Sequence, residues 1–291
     1  MTSFSFLIRI ENSTASTFKV AGHYVHHLEI DQYRLGYIIY TERNALSTSD
    51  GLNARVIAGN VNENGYREGK GTDARFYGVA GFTQISTTCV VIADYANDCL
   101  RLVNRISGAT SVLAGQCQSE GYQDGARGQL HRPYSVVRNR IDNNQLLVAD
   151  VFNKAVRIVN IRSGVLGTFV LSDLLRGIEY LTQDDAGNIY ASATYDLMRI
   201  SYKTKHVSLL ASSADYKARF CPSGLLSIAA DTLLVTDYCQ NELKTINTNS
   251  GIGTTVNISS SVTLYRASSI LLTEDYLFVG GYPNITQFDC E

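Results

Sequence analysis

The chain has 291 residues, 45% hydrophobic and 18% charged, with three prolines and no tryptophan. A net charge of −2 and a pI near 6.2 exclude a dominant electrostatic pull toward nucleic acid, and no apolar run reaches the length of a membrane span. Nothing resembles a low-complexity linker, so residues 1–291 are expected to form a single all-β domain.

Met1 to Ile10 alternates like a strand and lacks the charged and long apolar regions of a secretory leader. The expectation is a mature or excised portion whose targeting signal is missing. Thr17-Phe18-Lys19-Val20-Ala21-Gly22 reads as an orphan strand with an Ala-Gly ending. Six strands of one kind follow: Tyr37 to Glu42, Val90 to Asp94, Leu146 to Asp150, Ile189 to Thr194, Leu233 to Asp237 and Leu277 to Gly281. They recur about every 48 residues, the length of one four-stranded propeller blade. Within the second unit the strands are Val79 to Ile85, Val90 to Asp94, Leu100 to Asn104 and Thr110 to Ala114, with Ser107-Gly108 as a tight turn. The apolar second strand predicts burial on both faces, as packing between blades requires.

The last unit, from about Ser268, has residues for three strands only. The endings of the orphan strand, of Val56-Ile57-Ala58-Gly59 and of Val112-Leu113-Ala114-Gly115 match. The fold expected is therefore a six-bladed β-propeller of four-stranded antiparallel blades, the N-terminal strand completing the last blade and closing the ring. An open solenoid is the alternative.

Units two and three share further features. A Gly-Tyr-x-Asp/Glu-Gly loop stands at Gly65 to Gly69 and Gly121 to Gly125, and Ala-Arg-Phe at Ala74 to Phe76 and again at Ala218 to Phe220. Asp94 is followed by Asn97 and Arg101, Asp150 by Asn153 and Arg157, and Asp237 by Gln240 and Lys244. In these features the chain resembles the NHL-repeat family of β-propellers. Asp98-Cys99 and Lys154-Ala155 stand where that family carries His-Leu. The resemblance implies the propeller fold; its members include RNA binders, protein scaffolds, sensor domains and a zinc-dependent amidating lyase.

Cys99 and Cys117 lie symmetrically about Gly108, and Cys221 and Cys239 about Ala230, so two hairpin disulfides are expected. Cys89 and Cys290 fall in blades that are not neighbours and are expected not to pair. Sequons stand at Asn12, Asn257 and Asn284. Together with the cysteines they predict a glycosylated protein displayed outside the cell.

Few residues point to chemistry. Of the histidines His23, His26, His27, His131 and His206, only His26, His27 and His131 fall near one rim, and zinc needs three or four ligands. For calcium the inner strands offer Glu29 and Glu179, while Asp94, Asp150 and Asp237 read as turn-stabilising carboxylates. No cofactor is expected; zinc or calcium at the channel is the alternative. Arg67, Lys70, Arg75, Arg127, Arg132, Lys217 and Arg219 are interleaved with acids, which reads as a mixed-charge rim rather than a nucleic-acid surface.

After the second strand of each unit stand Arg43, Tyr95, Phe152, Tyr195, Tyr238 and Tyr282. Radial repetition predicts a broken ring of aromatic side chains on one face, suited to a protein or glycan partner. The alternative for these rings is burial as wedges between blades. The expected function is non-catalytic recognition or adhesion. A metal-dependent lyase or hydrolase working in the channel is the second reading, and an intracellular RNA or protein scaffold the third.

Overall fold

The computed structural model describes residues 15–18, 25–31, 38–216, 219–257, 264, 266–273, 276–281 and 285–289. These form six antiparallel sheets. The first contains Val25–Ile30, Ile38–Glu42, Ala45–Ser49 and Ala54–Gly59. The second contains Val79–Gln84, Cys89–Asp94, Cys99–Asn104 and Thr110–Ala114, and the third Pro133–Arg138, Gln145–Asp150, Ala155–Asn160 and Leu166–Leu171. Ile178–Gln183, Ile189–Ala193, Asp196–Ile200 and Val207–Ser212 make the fourth; Pro222–Ala229, Thr232–Asp237, Glu242–Asn247 and Gly253–Thr255 make the fifth. The sixth has Ser269–Leu272, Tyr276–Gly280 and Ile285–Asp289, and Ala15–Phe18 pairs with the last of these, Ala15 opposite Phe288. Of the expected orphan strand, Lys19 to Gly22 lie outside the described residues.

The six sheets are propeller blades, and the core lies between them. The second strand is apolar and buried on both faces, as in Cys89–Asp94 and Gln145–Asp150. Each first strand lies against the first strand of the next blade, and Ser269–Leu272 lies against Val25–Ile30. The first strands thus form the inner ring. Six apolar clusters fill the six seams. In one, Ile39, Leu46 and Ile57 of the first blade meet Phe76, Phe82 and Ile92 of the second. In another, Phe278 and Ile285 of the sixth meet Val25, Leu28, Ile38 and Tyr40 of the first. Each fully buried side chain of this size contributes about 1.5–3 kcal/mol, so every seam is held by several such contributions.

The Ala-Gly strand endings have a steric cause. Gly59 and Gly115 sit at φ of 94° and 85°, where a side chain is disfavoured, and a Cβ on Gly59 would strike the Asn44 carbonyl and the Phe76 ring. The buried Phe76 of Ala-Arg-Phe fills the space beneath.

Both expected disulfides are present, Cys99–Cys117 with Cα atoms 5.0 Å apart and Cys221–Cys239 with 5.4 Å. Their geometry differs from the hairpin symmetry. Leu100 faces Ala114 and Pro222 faces Asp237, so Cys117 and Cys239 lie in loops beyond the strand ends. Each bridge ties a strand end to a loop. Cys89 is a free thiol, and Cys290 lies outside the described residues.

Candidate functional site

The carboxylates ending the second strands are scaffolding. Asp94 Oδ1 accepts the Tyr77 N–H at 2.8 Å, while Oδ2 accepts from Asn97 at 2.9 Å and from Arg101 at 3.2 Å. Asp150 repeats the pattern with the His131 N–H, Asn153 and Arg157 at 2.7, 2.8 and 2.9 Å. Asp237 accepts from the N–H groups of Cys221 and Cys239, with Lys244 Nζ 3.7 Å away. One carboxylate thus pins the loop before its blade to the turn after its strand. Burial pushes Asp94 up to about 6 and Asp150 up as well, against the pull of these donors. The tyrosine of each Gly-Tyr loop covers the paired cation: Tyr66 lies 5.0 Å from Arg101, and Tyr122 lies 4.7 Å from Arg157.

The described members of the expected ring fall on the face where these turns emerge. Arg43 is exposed. Tyr95 is half-buried; its ring meets Tyr134 edge-on at 5.8 Å and carries the Arg132 guanidinium at 5.1 Å. Phe152 is 59% exposed and stacks on His131 at 4.7 Å. Tyr195 is 38% exposed under Arg219 at 4.3 Å, and Tyr238 is half-buried under Arg266 at 6.0 Å. Tyr282 lies outside the described residues, as do Asn12, Asn284 and His23. Asn257 is exposed. None of the four described rings is sealed between blades; three carry an arginine from the loop entering the next blade.

Tyr195 and Tyr238 open into a cavity of about 710 Å³, whose wall also includes Tyr134, Glu179, Tyr180, Ser223, Arg219 and Arg266. It sits where the inner strands begin. The first strands of the first five blades carry a bulge at that point, between Val79 and Phe82 or Ile178 and Leu181 for example. Bulges redirect side chains, and here they gather His26, Tyr134, Glu179 and Tyr180 around the channel. Tyr134 Oη lies 3.3 Å from Tyr180 Oη and 3.5 Å from His26 Nδ1, and Tyr180 Oη donates to the His26 carbonyl at 3.3 Å. Burial lowers His26 from 6.5 to about 4, so its imidazole is neutral at physiological pH. Glu179 is exposed toward the cavity yet walled by protein, and that desolvation raises its carboxyl.

Sequence reasoning places Tyr195 and Tyr238 at this face but misses Tyr134, Tyr180 and Arg266, and it reads Arg132 and Arg219 only as rim charges. A signal exists for two of them. Gly78, Arg132 and Arg266 donate their backbone N–H to Asn44, Asp98 and Asn241, each just before a third strand. Arginine therefore stands at a position that the second blade gives to glycine. Among the described residues no group of three or more His, Cys, Asp or Glu side chains converges as metal ligands do, and no helix is long and apolar enough to cross a membrane. His131 pairs with Glu120 at 3.2 Å, and His27 lies 3.8 Å from Glu29. Arg75 of the mixed-charge rim pairs with Glu63, and the buried Arg157 reaches Asp124.

No protein-family profile matches the chain, and no curated protein matches it in sequence. Solved structures do. The chain is similar to a propeller in the crystal structure of a nidogen/laminin complex, with 9% identity and a TM-score of 0.62 over 84% of this chain and 85% of that one. It is similar to virginiamycin B lyase from Staphylococcus aureus, with 12% identity and a TM-score of 0.61 over 96% and 100%. An auxiliary nutrient binding protein from Bacteroides ovatus aligns with 12% identity and a TM-score of 0.67 over 95% and 72%. At these identities the likeness concerns the fold alone.

Proposed function

We propose that the chain is a non-catalytic recognition module of NHL type, a single propeller domain displayed outside the cell, which binds a protein or glycan partner through the face bearing Tyr95, Phe152, Tyr195 and Tyr238. The observation that carries this reading is the cavity of about 710 Å³ walled by tyrosine and arginine. Its volume is that of a ligand site, and tyrosine offers contact area at low entropic cost while keeping a polar tip. The same fold serves in a complex of nidogen with laminin and in a nutrient binding protein. The two disulfides and the exposed sequon asparagine, Asn257, fit an oxidising compartment.

The test is an array of glycans and secreted proteins probed with the wild type and with a Tyr195→Ala/Tyr238→Ala variant. The expected result is a ligand bound by the wild type and weakened at least about tenfold in the variant. Melting of the variant should stay close to the wild type, because neither ring is sealed in a seam. Ligands bound equally by both proteins, or an array on which the wild type binds nothing, contradict the reading. A variant that melts many degrees lower restores the wedge interpretation.

A further inference from the structure

The cavity wall holds an acid and a base that do not pair with one another. Glu179 and Arg219 both line it, and among the described residues neither has an ion-pair partner. Arg219 rests on the face of Tyr195 at 4.3 Å. Elsewhere on the same loops unlike charges do close on each other, as Arg75 does on Glu63 and Lys154 on Asp173.

Arg266 adds a second, independent observation. It and Arg132 occupy the backbone position of Gly78, and they do so at φ of 51° and 60°, a conformation that disfavours any Cβ. At Arg266 the effect is to set the guanidinium over Tyr238 at the cavity wall. The rings of Tyr134, Tyr180, Tyr195 and Tyr238 line the same cavity.

A neutral sugar could hydrogen-bond to these groups but would leave both charges without a counter-charge. A purely anionic ligand would face Glu179, and a purely cationic one would face the arginines. We infer that the cavity binds a small zwitterion, a free amino acid or a short peptide with unblocked ends, holding its ammonium group at Glu179 and its carboxylate at Arg219 and Arg266, with the tyrosine rings against its body. Carboxylate pairs well with the guanidinium fork, and an ammonium group beside Glu179 also meets the electron-rich tyrosine faces. The inference rests on the recognition reading and narrows its partner to peptide chemistry.

The test uses the intact chain and calorimetric titration with five probes: L-phenylalanine, the dipeptide Ala-Phe, N-acetyl-Ala-Phe, Ala-Phe amide, and the dipeptide blocked at both ends. Binding of at least one unblocked probe is expected. Each single block should weaken its parent by roughly tenfold to a hundredfold, the value of a charge-assisted hydrogen bond. The ratio between L-phenylalanine and Ala-Phe separates amino acid from peptide as the source of the zwitterion. Glu179→Gln should erase only the difference between free and acetylated peptide, and Arg219→Gln should shrink only the difference between acid and amide. A merely structural role would lower all probes together. Equal binding of blocked and unblocked probes, silence of every probe, or uniform losses in both variants overturn the inference. If the array still yields a ligand that is lost in Tyr195→Ala/Tyr238→Ala while the probes are silent, the zwitterion fails and the recognition reading stands. Silence in both assays removes both.

Discussion

His26 connects three blades, because its ring nitrogen meets Tyr134 and its carbonyl accepts from Tyr180. Its burial has a consequence for stability that carries a sign. An unfolded chain takes up a proton on this residue near pH 6.5, whereas the folded chain does so only near 4. Between those values the unfolded state binds more protons, so stability is present above pH 6.5 and is lost as the pH falls toward 4, by up to about 3 kcal/mol. Asp94, Asp150 and Glu179 are shifted upward and act in the opposite sense, so the readout is a difference. The gap in unfolding free energy between wild type and His26→Gln should narrow as the pH is lowered from 6.5 to 4. A gap independent of pH would show that His26 titrates normally. Other single residues were legible beforehand only in part. The Asp94, Asp150 and Asp237 series reads as structural from its repeat, and the structure agrees. What the sequence does not reveal is that Arg101 and Arg157 are its buried partners, since repetition marks both residues without showing that adjacent strands bring them together. Removing one member of such a pair leaves a buried charge and costs about 3–5 kcal/mol.

At the scale of the element, strand periodicity was readable because the second strand of a blade is sandwiched between two neighbours and must be apolar throughout. Bulges were not readable, since they change the count of residues without changing the pattern. Both cysteine pairs form although neither is directly opposite in the strand register, and a bulge lies beside each. Bulges explain why the cavity was half-visible: Tyr195 and Tyr238 follow regular strands, whereas Tyr134, Glu179 and Tyr180 are turned inward by irregular ones. The remaining question at this scale is what Ala15–Phe18 contributes beside Ile285–Asp289. Our reading is that this pairing latches the ring, since the strand covers an edge that would otherwise lie open. Deleting residues 1–18 should then lower the melting temperature by several degrees, and hydrogen exchange should quicken first in Ile285–Asp289. A deletion that melts like the full chain would mean that the apolar seam between the sixth and first blades closes the ring alone.

At the scale of the molecule, six apolar seams of similar construction hold six blades. Such a ring is rigid where its inner strands touch. The cavity is built on those strands and on the turns pinned to them by buried carboxylates, which is why one face can present arginine and tyrosine in fixed positions. The central claim is that this face does the binding. Hydrogen–deuterium exchange of the propeller, with and without the ligand selected on the array, tests it most directly. Protection is expected across residues 132–134, 178–181, 194–195, 219–223, 238–239 and 266–268, with the outer strands Thr110–Ala114 and Leu166–Leu171 unchanged. Protection confined to the outer strands or to the opposite face, with the cavity wall unaltered, would contradict it.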